Sequence, residues 1–221
     1  MPVLRNKISA IFGPRGSGKT YLAAGMYGKE SRAVCYNLAE DAEFRSRATN
    51  FAVGGRDKAR ELWKLMRKPE NKFRIDFIPT DLDFGRKVSA ESLEEISLLC
   101  WDAHDVTLYF DEAHMLLSSG YAPPAFRTLY LRGRHHQVSI VMIQHRMAAI
   151  PKEFTYNVEA FYFFQTSEPT DLDAIADRCG EEVAVQVSGL RRLDMSKNPV
   201  VPGQYYEWNA TLRIGKKVDL A

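Results

Sequence analysis

Gly13-Pro14-Arg15-Gly16-Ser17-Gly18-Lys19-Thr20 is a complete phosphate-binding loop (P-loop), and the residues on either side supply the setting such a loop needs. Upstream, Lys7-Ile8-Ser9-Ala10-Ile11-Phe12 is an apolar run that reads as a buried strand; downstream, Tyr21-Leu22-Ala23-Ala24 opens a helix. The glycines let the backbone turn its N–H groups inward around phosphates, and the positive end of the helix faces the same anion. Gly13 through Tyr21 therefore form the expected cradle for ATP. Lys19 supplies a point charge to the β- and γ-phosphates, and Thr20 a hydroxyl to Mg²⁺. The strand–loop–helix order separates this reading from a glycine-rich turn that binds nothing.

A second element answers the first. Val106-Thr107-Leu108-Tyr109-Phe110 is a β-branched and aromatic run ending in Asp111-Glu112, as a central parallel strand delivering carboxylates at its C-terminal edge would. Asp111 is the candidate for the Mg²⁺ shell, usually through water, and Glu112 for the base that takes a proton from the attacking water. The competing reading is a helix cap, since acids are favoured ahead of a helix such as the one expected from Ala113 to Leu117.

The 221 residues, 45% of them hydrophobic, are enough for one large domain with its own core. Cys35, Cys100 and Cys179 are odd in number and widely spaced, so neither a disulfide framework nor a zinc site is suggested, and they read as buried thiols in a reducing compartment. The adjacent His135-His136 has no cysteine or carboxylate at a metal-ligand spacing. Neither a signal peptide nor an apolar run long enough for a membrane span is present, and the expectation is a soluble, cytoplasmic protein. Thirty basic and 28 acidic side chains leave a net charge of +2, so any nucleic-acid contact must come from local patches.

Strands are expected at 32–37, 51–53, 73–78, 106–110, 138–143 and 160–164, with the alternating 73–78 run presenting one wetter face. Helices are expected at 57–67, from Ala90 to about Ala103 capped by Ser89, and from about Ala125 to Arg132, after a turn at 120–124; a short helix or loop is expected at 40–50. The alternation predicts a three-layer α/β fold with a mainly parallel sheet. Residues 1–167 read as the nucleotide-binding core. Residues 168–221, with helices at 171–179 and 181–187 and a hairpin through 205–214, read as a decoration packed on it within a single domain.

Leu131-Arg132-Gly133-Arg134-His135-His136 lies at the end of a helix, where an arginine can project across a subunit interface to a neighbour's γ-phosphate or can simply cap the helix dipole. Arg127, Arg132, Arg134 and Arg146 are candidates, with Arg132 and Arg134 preferred. Gln144, ending the strand beside the acidic one, can sense the γ-phosphate or hold the attacking water, or bond local backbone. Tyr121 and Pro123-Pro124 occupy a loop that can face a channel or form a surface turn.

Taken in order, Gly13 to Thr20, the strand ending Phe110-Asp111-Glu112-Ala113-His114, the Arg132-Gly-Arg-His segment, and Ile140-Val141-Met142-Ile143 finishing in Gln144 resemble the FtsK–HerA superfamily of P-loop ATPases. Within it, the chain looks most like the small genome-packaging ATPases of tailless icosahedral viruses with an internal membrane. The segment Gln144-His145-Arg146 through Ile150-Pro151 resembles the superfamily's glutamine motif, although many relatives carry Thr-Gln where this chain has Ile143-Gln144. The resemblance implies a ring of five or six identical subunits that hydrolyses ATP at subunit interfaces, with an arginine acting in trans. It further implies that the ring drives double-stranded DNA through its centre, at a capsid vertex or portal protein, in the host cytoplasm or at the packaging vertex of the virion. Asp-Glu-Ala-His at 111–114 also invites a superfamily-two helicase, but those enzymes need two RecA-like domains and this chain has room for one. A Zot-like ATPase of filamentous phage assembly, and a nucleotide-gated scaffold that turns over little, are the alternatives.

Overall fold

Runs that are apolar along their whole length can be buried on both faces, and here they assemble as a parallel sheet. The structure is a computed structural model describing residues 7–80, 91–117, 122–197 and 201–220. Strands β1 (Ile8–Phe12), β2 (Arg32–Tyr36), β3 (Asn50–Gly54), β4 (Phe73–Pro79), β5 (Thr107–Phe110), β6 (Ser139–Gln144) and β7 (Ala160–Phe164) lie side by side in the order β3-β4-β2-β5-β6-β1-β7, every pair parallel. Strands β8 (Gln204–Asn209) and β9 (Ile214–Asp219) add antiparallel beyond β7, so the C-terminal hairpin extends the central sheet itself.

The helices are α1 (Lys19–Tyr27), α2 (Ala42–Arg45), α3 (Arg56–Glu61), α4 (Trp63–Met66), α5 (Glu91–Ala103), α6 (Pro124–Arg132), α7 (Lys152–Tyr156), α8 (Pro169–Cys179) and α9 (Glu181–Ser188). Alternation along the strands divides the core into two layers. Ile11, Cys35, Tyr109 and Ile143 pack with Leu22, Ala23 and Tyr27 of α1 and Phe44 of α2 on one face. Ala10, Phe12, Phe110 and Met142 pack with Ile96 of α5, Phe126 of α6, Phe154 of α7 and Ile175 of α8 on the other. This is the expected three-layer α/β arrangement.

The topology also places the site. The connection after β1 enters α1 on one face, whereas that after the adjacent β6 enters α7 on the opposite face. A crevice therefore opens outside the C-terminal ends of these two strands, which is where open α/β sheets hold ligands.

Several local expectations are corrected. Strand β4 has no wet face beyond half-buried Arg74, because one face packs on α5 and the other is covered by the segment around α2. Asp76 on it is fully buried, accepts from Asn37 Nδ2 at 2.9 Å and lies 3.6 Å from Arg45. The helix expected at 57–67 is two pieces, α3 and α4, meeting at Leu62. The helix expected after Asp111-Glu112 is a single 3-10 turn, Ala113–Met115, since Glu112 enters the left-handed region and cannot start an α-helix. The chain also forms α7, for which no sequence signal was read, and α6 begins one residue early, at Pro124, where the ring's fixed φ suits a first helical position. Ser89, Ala90, Gly120 and Tyr121 lie outside the described residues.

Candidate nucleotide-binding site

The P-loop follows β1 directly and is fastened to the strand beside it: Gly13 N–H donates to Gln144 O at 3.2 Å. A side chain at position 13 would collide with Phe164 Cβ at 2.6 Å and Ser17 Oγ at 2.7 Å, so only glycine lets the loop close this tightly. Gly18 stands at φ 98°, a left-handed conformation that L side chains rarely adopt, and a Cβ there would also strike the Leu220 side chain. Helix α1 starts at the next residue with no acid in its first turn, so its positive end is not neutralised from within the helix.

The cleft in front of this loop has a volume of about 960 Å³. Arg15, Gly16, Gly18, Lys19, Thr20 and Tyr21 line it, together with Asp111 and Glu112 from the end of β5. Lys19 is 5% exposed, and burial foremost pushes its pKa down, against the pull of Glu112 and Asp111. Asp111 is 2% exposed; its carboxyl is pushed up to about 7, by burial first and then by the charge of Glu112, with Lys19 opposing. A buried carboxylate whose nearby lysine does not offset its desolvation is a site short of positive charge, which a divalent cation supplies. Thr20 and Asp111 thus fit Mg²⁺, directly or through water.

Glu112 has φ 49° and ψ 40°, a left-handed backbone that costs a non-glycine residue on the order of 1–3 kcal/mol. One carboxylate oxygen, Oε1, lies 2.7 Å from His145 Nε2; the other, Oε2, lies 3.3 Å from His114 Nδ1. Gln144 is fully buried at the end of β6 and accepts from the His114 backbone N–H at 3.1 Å. Its Nε2, like Ser17 Oγ in the P-loop, is buried without a hydrogen-bond partner among the described residues. Buried donors are normally satisfied, so these two open groups mark where a ligand's oxygens can sit.

The structure therefore brings Gly13 to Tyr21, Asp111, Glu112 and Gln144 to one strand edge. It does not bring Arg132 and Arg134 there. Helix α6 leaves the C-terminal end of β5 and ends before the start of β6, and because those strands are parallel its last residues lie at the opposite edge of the sheet. Both arginines are exposed and have no hydrogen bond or ion pair among the described residues. Arg127 pairs with Glu153 at 3.2 Å, and Arg146 with Asp171 at 3.2 Å, so these two candidates are already engaged. Pro123 is buried, which removes it from any surface tip, while Tyr121 lies outside the described residues.

Other cleft residues were not singled out from sequence. His145 directly follows Gln144 and its position after the glutamine was a usable signal. Asp41, at the N-cap of α2, and Glu43, in its first turn, reach the cleft. Leu193, Met195, Pro202 and Leu220 form its apolar side. Nothing local marks these last residues, because only the pairing of β8 on β7 and β9 on β8 carries the C-terminal segment to the P-loop. A smaller cavity of about 380 Å³, lined by residues including Ile150, Tyr156, Asp173 and Arg178, lies between α7 and α8, away from the P-loop.

No protein-family model matches the chain, and a sequence search of curated proteins likewise returns no match. Solved structures do resemble it. The genome packaging NTPase B204 from Sulfolobus turreted icosahedral virus 2, in complex with AMPPCP, superposes with a TM-score of 0.71 at 16% identity, over 98% of this chain and 97% of that one. B204, the DNA-packaging ATPase from Sulfolobus turreted icosahedral virus, gives 0.70 at 17% identity over 96% of each chain. The N-terminal domain of zonular occludens toxin from Neisseria meningitidis gives 0.52 at 14% identity, over 97% of this chain and 93% of that one. These likenesses run nearly the full length of both partners and establish the fold, an α/β P-loop NTPase with a mostly parallel central sheet.

Proposed function

We propose that this protein is an FtsK–HerA-type ATPase that drives double-stranded DNA into a viral capsid, acting as a ring of five or six identical subunits. The observation that carries the reading is the convergence on one cleft of a P-loop with a buried lysine and two strand-end acids, with Gln144 buried at the end of the neighbouring strand. The end-to-end likeness to packaging NTPases, at similar chain length, supports the biological setting.

In this reading Gly13 to Tyr21 cradle the triphosphate with backbone N–H groups, and Lys19 offsets charge on its β- and γ-phosphates. Mg²⁺, held by Thr20 and Asp111, supplies further charge neutralisation when bound. Glu112 takes the proton from the attacking water, while Gln144 Nε2 orients that water or a γ-phosphate oxygen. The apolar side of the cleft excludes water from the nucleotide. Lys19→Ala is expected to weaken ATP binding and abolish turnover, read by titration with a fluorescent ATP analogue and by phosphate release. Wild-type binding in that variant would remove the P-loop lysine from the site.

Translocation requires phosphate contacts rather than base contacts, so DNA affinity should be independent of sequence and fall with salt. The expected log–log slope is roughly −0.9 per phosphate neutralised. Of the local basic clusters Arg132/Arg134, Arg191-Arg192 and Lys216-Lys217, Arg191 is paired with Asp219 at 2.6 Å, Arg192 with Gln165, and Lys216 with Glu207 at 3.4 Å, leaving Arg132, Arg134 and Lys217 the most available. Duplex DNA is expected to stimulate hydrolysis. Duplex that neither binds at low salt nor changes the rate, with the ring assembled and its capsid partner supplied, would favour a nucleotide-gated scaffold. Likeness to the zonular occludens toxin domain keeps a filamentous-phage assembly ATPase as second reading, and co-purification with a portal or capsid vertex protein rather than a filamentous coat protein separates the two.

A further inference from the structure

The carboxylate of Glu112 is gripped by a residue to which the ATPase reading gives no role. His145 stands at the end of β6, beside the end of β5, and its Nε2 lies 2.7 Å from Glu112 Oε1. Glu112 Oε2 and His114 Nδ1, 3.3 Å apart, are both buried and have no hydrogen-bond partner among the described residues. One oxygen thus lies against the imidazole, and the other is buried beside His114.

We propose that His145 is the positioning residue of the hydrolytic base: its Nε2, against Oε1 of Glu112, fixes the carboxylate that receives the proton of the attacking water. The assignment rests on the ATPase reading above. A glutamate on a strand-end turn has three side-chain torsions to fix, and its left-handed backbone sets only the direction in which they start. The imidazole fixes their far end. The group is a suitable tether chemically, because burial foremost and the charge of Lys19 push its pKa down in spite of Glu112, leaving a neutral ring.

The loop that carries the ring is itself anchored. Arg146 donates to Thr170 Oγ1 at 2.6 Å and to Asp171 Oδ2 at 3.2 Å, and Asp171 Oδ1 accepts from Ala148 N–H at 3.1 Å. Three contacts to the start of α8 hold the segment immediately after His145, so the tether does not swing freely with solvent. Positioning of a reacting group to within fractions of an ångström is what such a supporting shell provides.

The test compares wild type, His145→Leu and His145→Gln, each alone and with Glu112→Gln, by steady-state phosphate release and by ATP-analogue binding. His145→Leu is expected to lower kcat about 10-fold with the dissociation constant for the analogue within about 2-fold of wild type. His145→Gln, which restores an N–H donor, should recover most of the rate. In the Glu112→Gln background the leucine substitution should cost nothing more, since both changes act through one carboxylate. An unchanged kcat in His145→Leu, failure of glutamine to rescue, or a further loss on top of Glu112→Gln would each overturn the assignment while leaving the ATPase reading intact. A wild-type protein without turnover would overturn both. If the leucine variant does not fold, His145→Gln and His145→Asn carry the comparison, and equal rates for short and long amides would count against a distance-dependent tether.

Discussion

Glu112→Gln is expected to bind ATP as wild type does and to lose about 10²-fold or more in kcat. The substitution keeps the volume and the oxygen that lies 2.7 Å from His145 Nε2, and it removes the one property a base needs, a lone pair that readily takes a proton. Because Glu112 is mostly enclosed at 14% side-chain exposure, and its neighbours His114 and His145 are half-exposed, the amide has room to occupy the same place without opening the cleft. Binding should survive, since the phosphate contacts come from the P-loop and Lys19. The measurement is phosphate release at saturating ATP beside a binding titration of the same preparation. Full activity would remove Glu112 from the mechanism; loss of binding along with rate would make it a structural prop of the cleft. The adjacent acid makes a useful contrast. Asp111→Asn should raise the Mg²⁺ concentration needed for binding and turnover, because the buried Asp111 carboxylate lines the cleft together with Lys19 and Thr20.

The distribution of what sequence revealed follows from how local each signal is. The P-loop, the strand it leaves and the helix it enters are contiguous, so thirteen residues from Ile8 to Thr20 contain their own context. Strands β5, β6 and β7 are uninterrupted apolar runs, and only a doubly covered sheet can bury such runs on both faces. Asp76 misled for the opposite reason. Its alternation with Ile75 and Phe77 is that of a half-wet strand, and only the neighbours brought by β2 and α2, Asn37 and Arg45, make its burial tolerable. The short turn after Glu112 was likewise illegible, since a left-handed backbone at a glutamate is imposed by tertiary contacts and carries no compositional mark. The apolar wall of the cleft was hidden by distance in sequence: Leu220 meets Gly18 across some two hundred residues of chain, through the order of strands rather than any motif.

Replacing Arg132 or Arg134 with alanine is expected to lower turnover by about 10³-fold or more in a pure mutant while leaving ATP binding unchanged, the size of effect associated with a catalytic arginine at a γ-phosphate. The placement of these residues makes the expectation specific. Arg132 ends α6 and Arg134 lies in the 3-10 turn after it, at the sheet edge opposite the P-loop, so neither can complete the cleft of its own chain. Both are exposed and without a partner among the described residues, although guanidinium groups on surfaces commonly find one, and Arg127 and Arg146 have done so. A head-to-tail ring turns one edge of each subunit toward the cleft edge of the next, and that is the geometry in which such an arginine is used. Mixing supplies the decisive measurement. Subunits carrying Arg132→Ala keep an intact P-loop, and subunits carrying Lys19→Ala keep an intact arginine, so a mixed ring contains some interfaces with both. Each mutant alone should be inactive, and the mixture should recover a fraction of wild-type turnover that rises and falls with the mixing ratio. Recovery with Arg132→Ala but not with Arg134→Ala would assign the role to Arg132, and the reverse to Arg134. If neither substitution slows hydrolysis, or no mixture recovers under conditions where subunits are seen to exchange, the acting arginine is not in this segment.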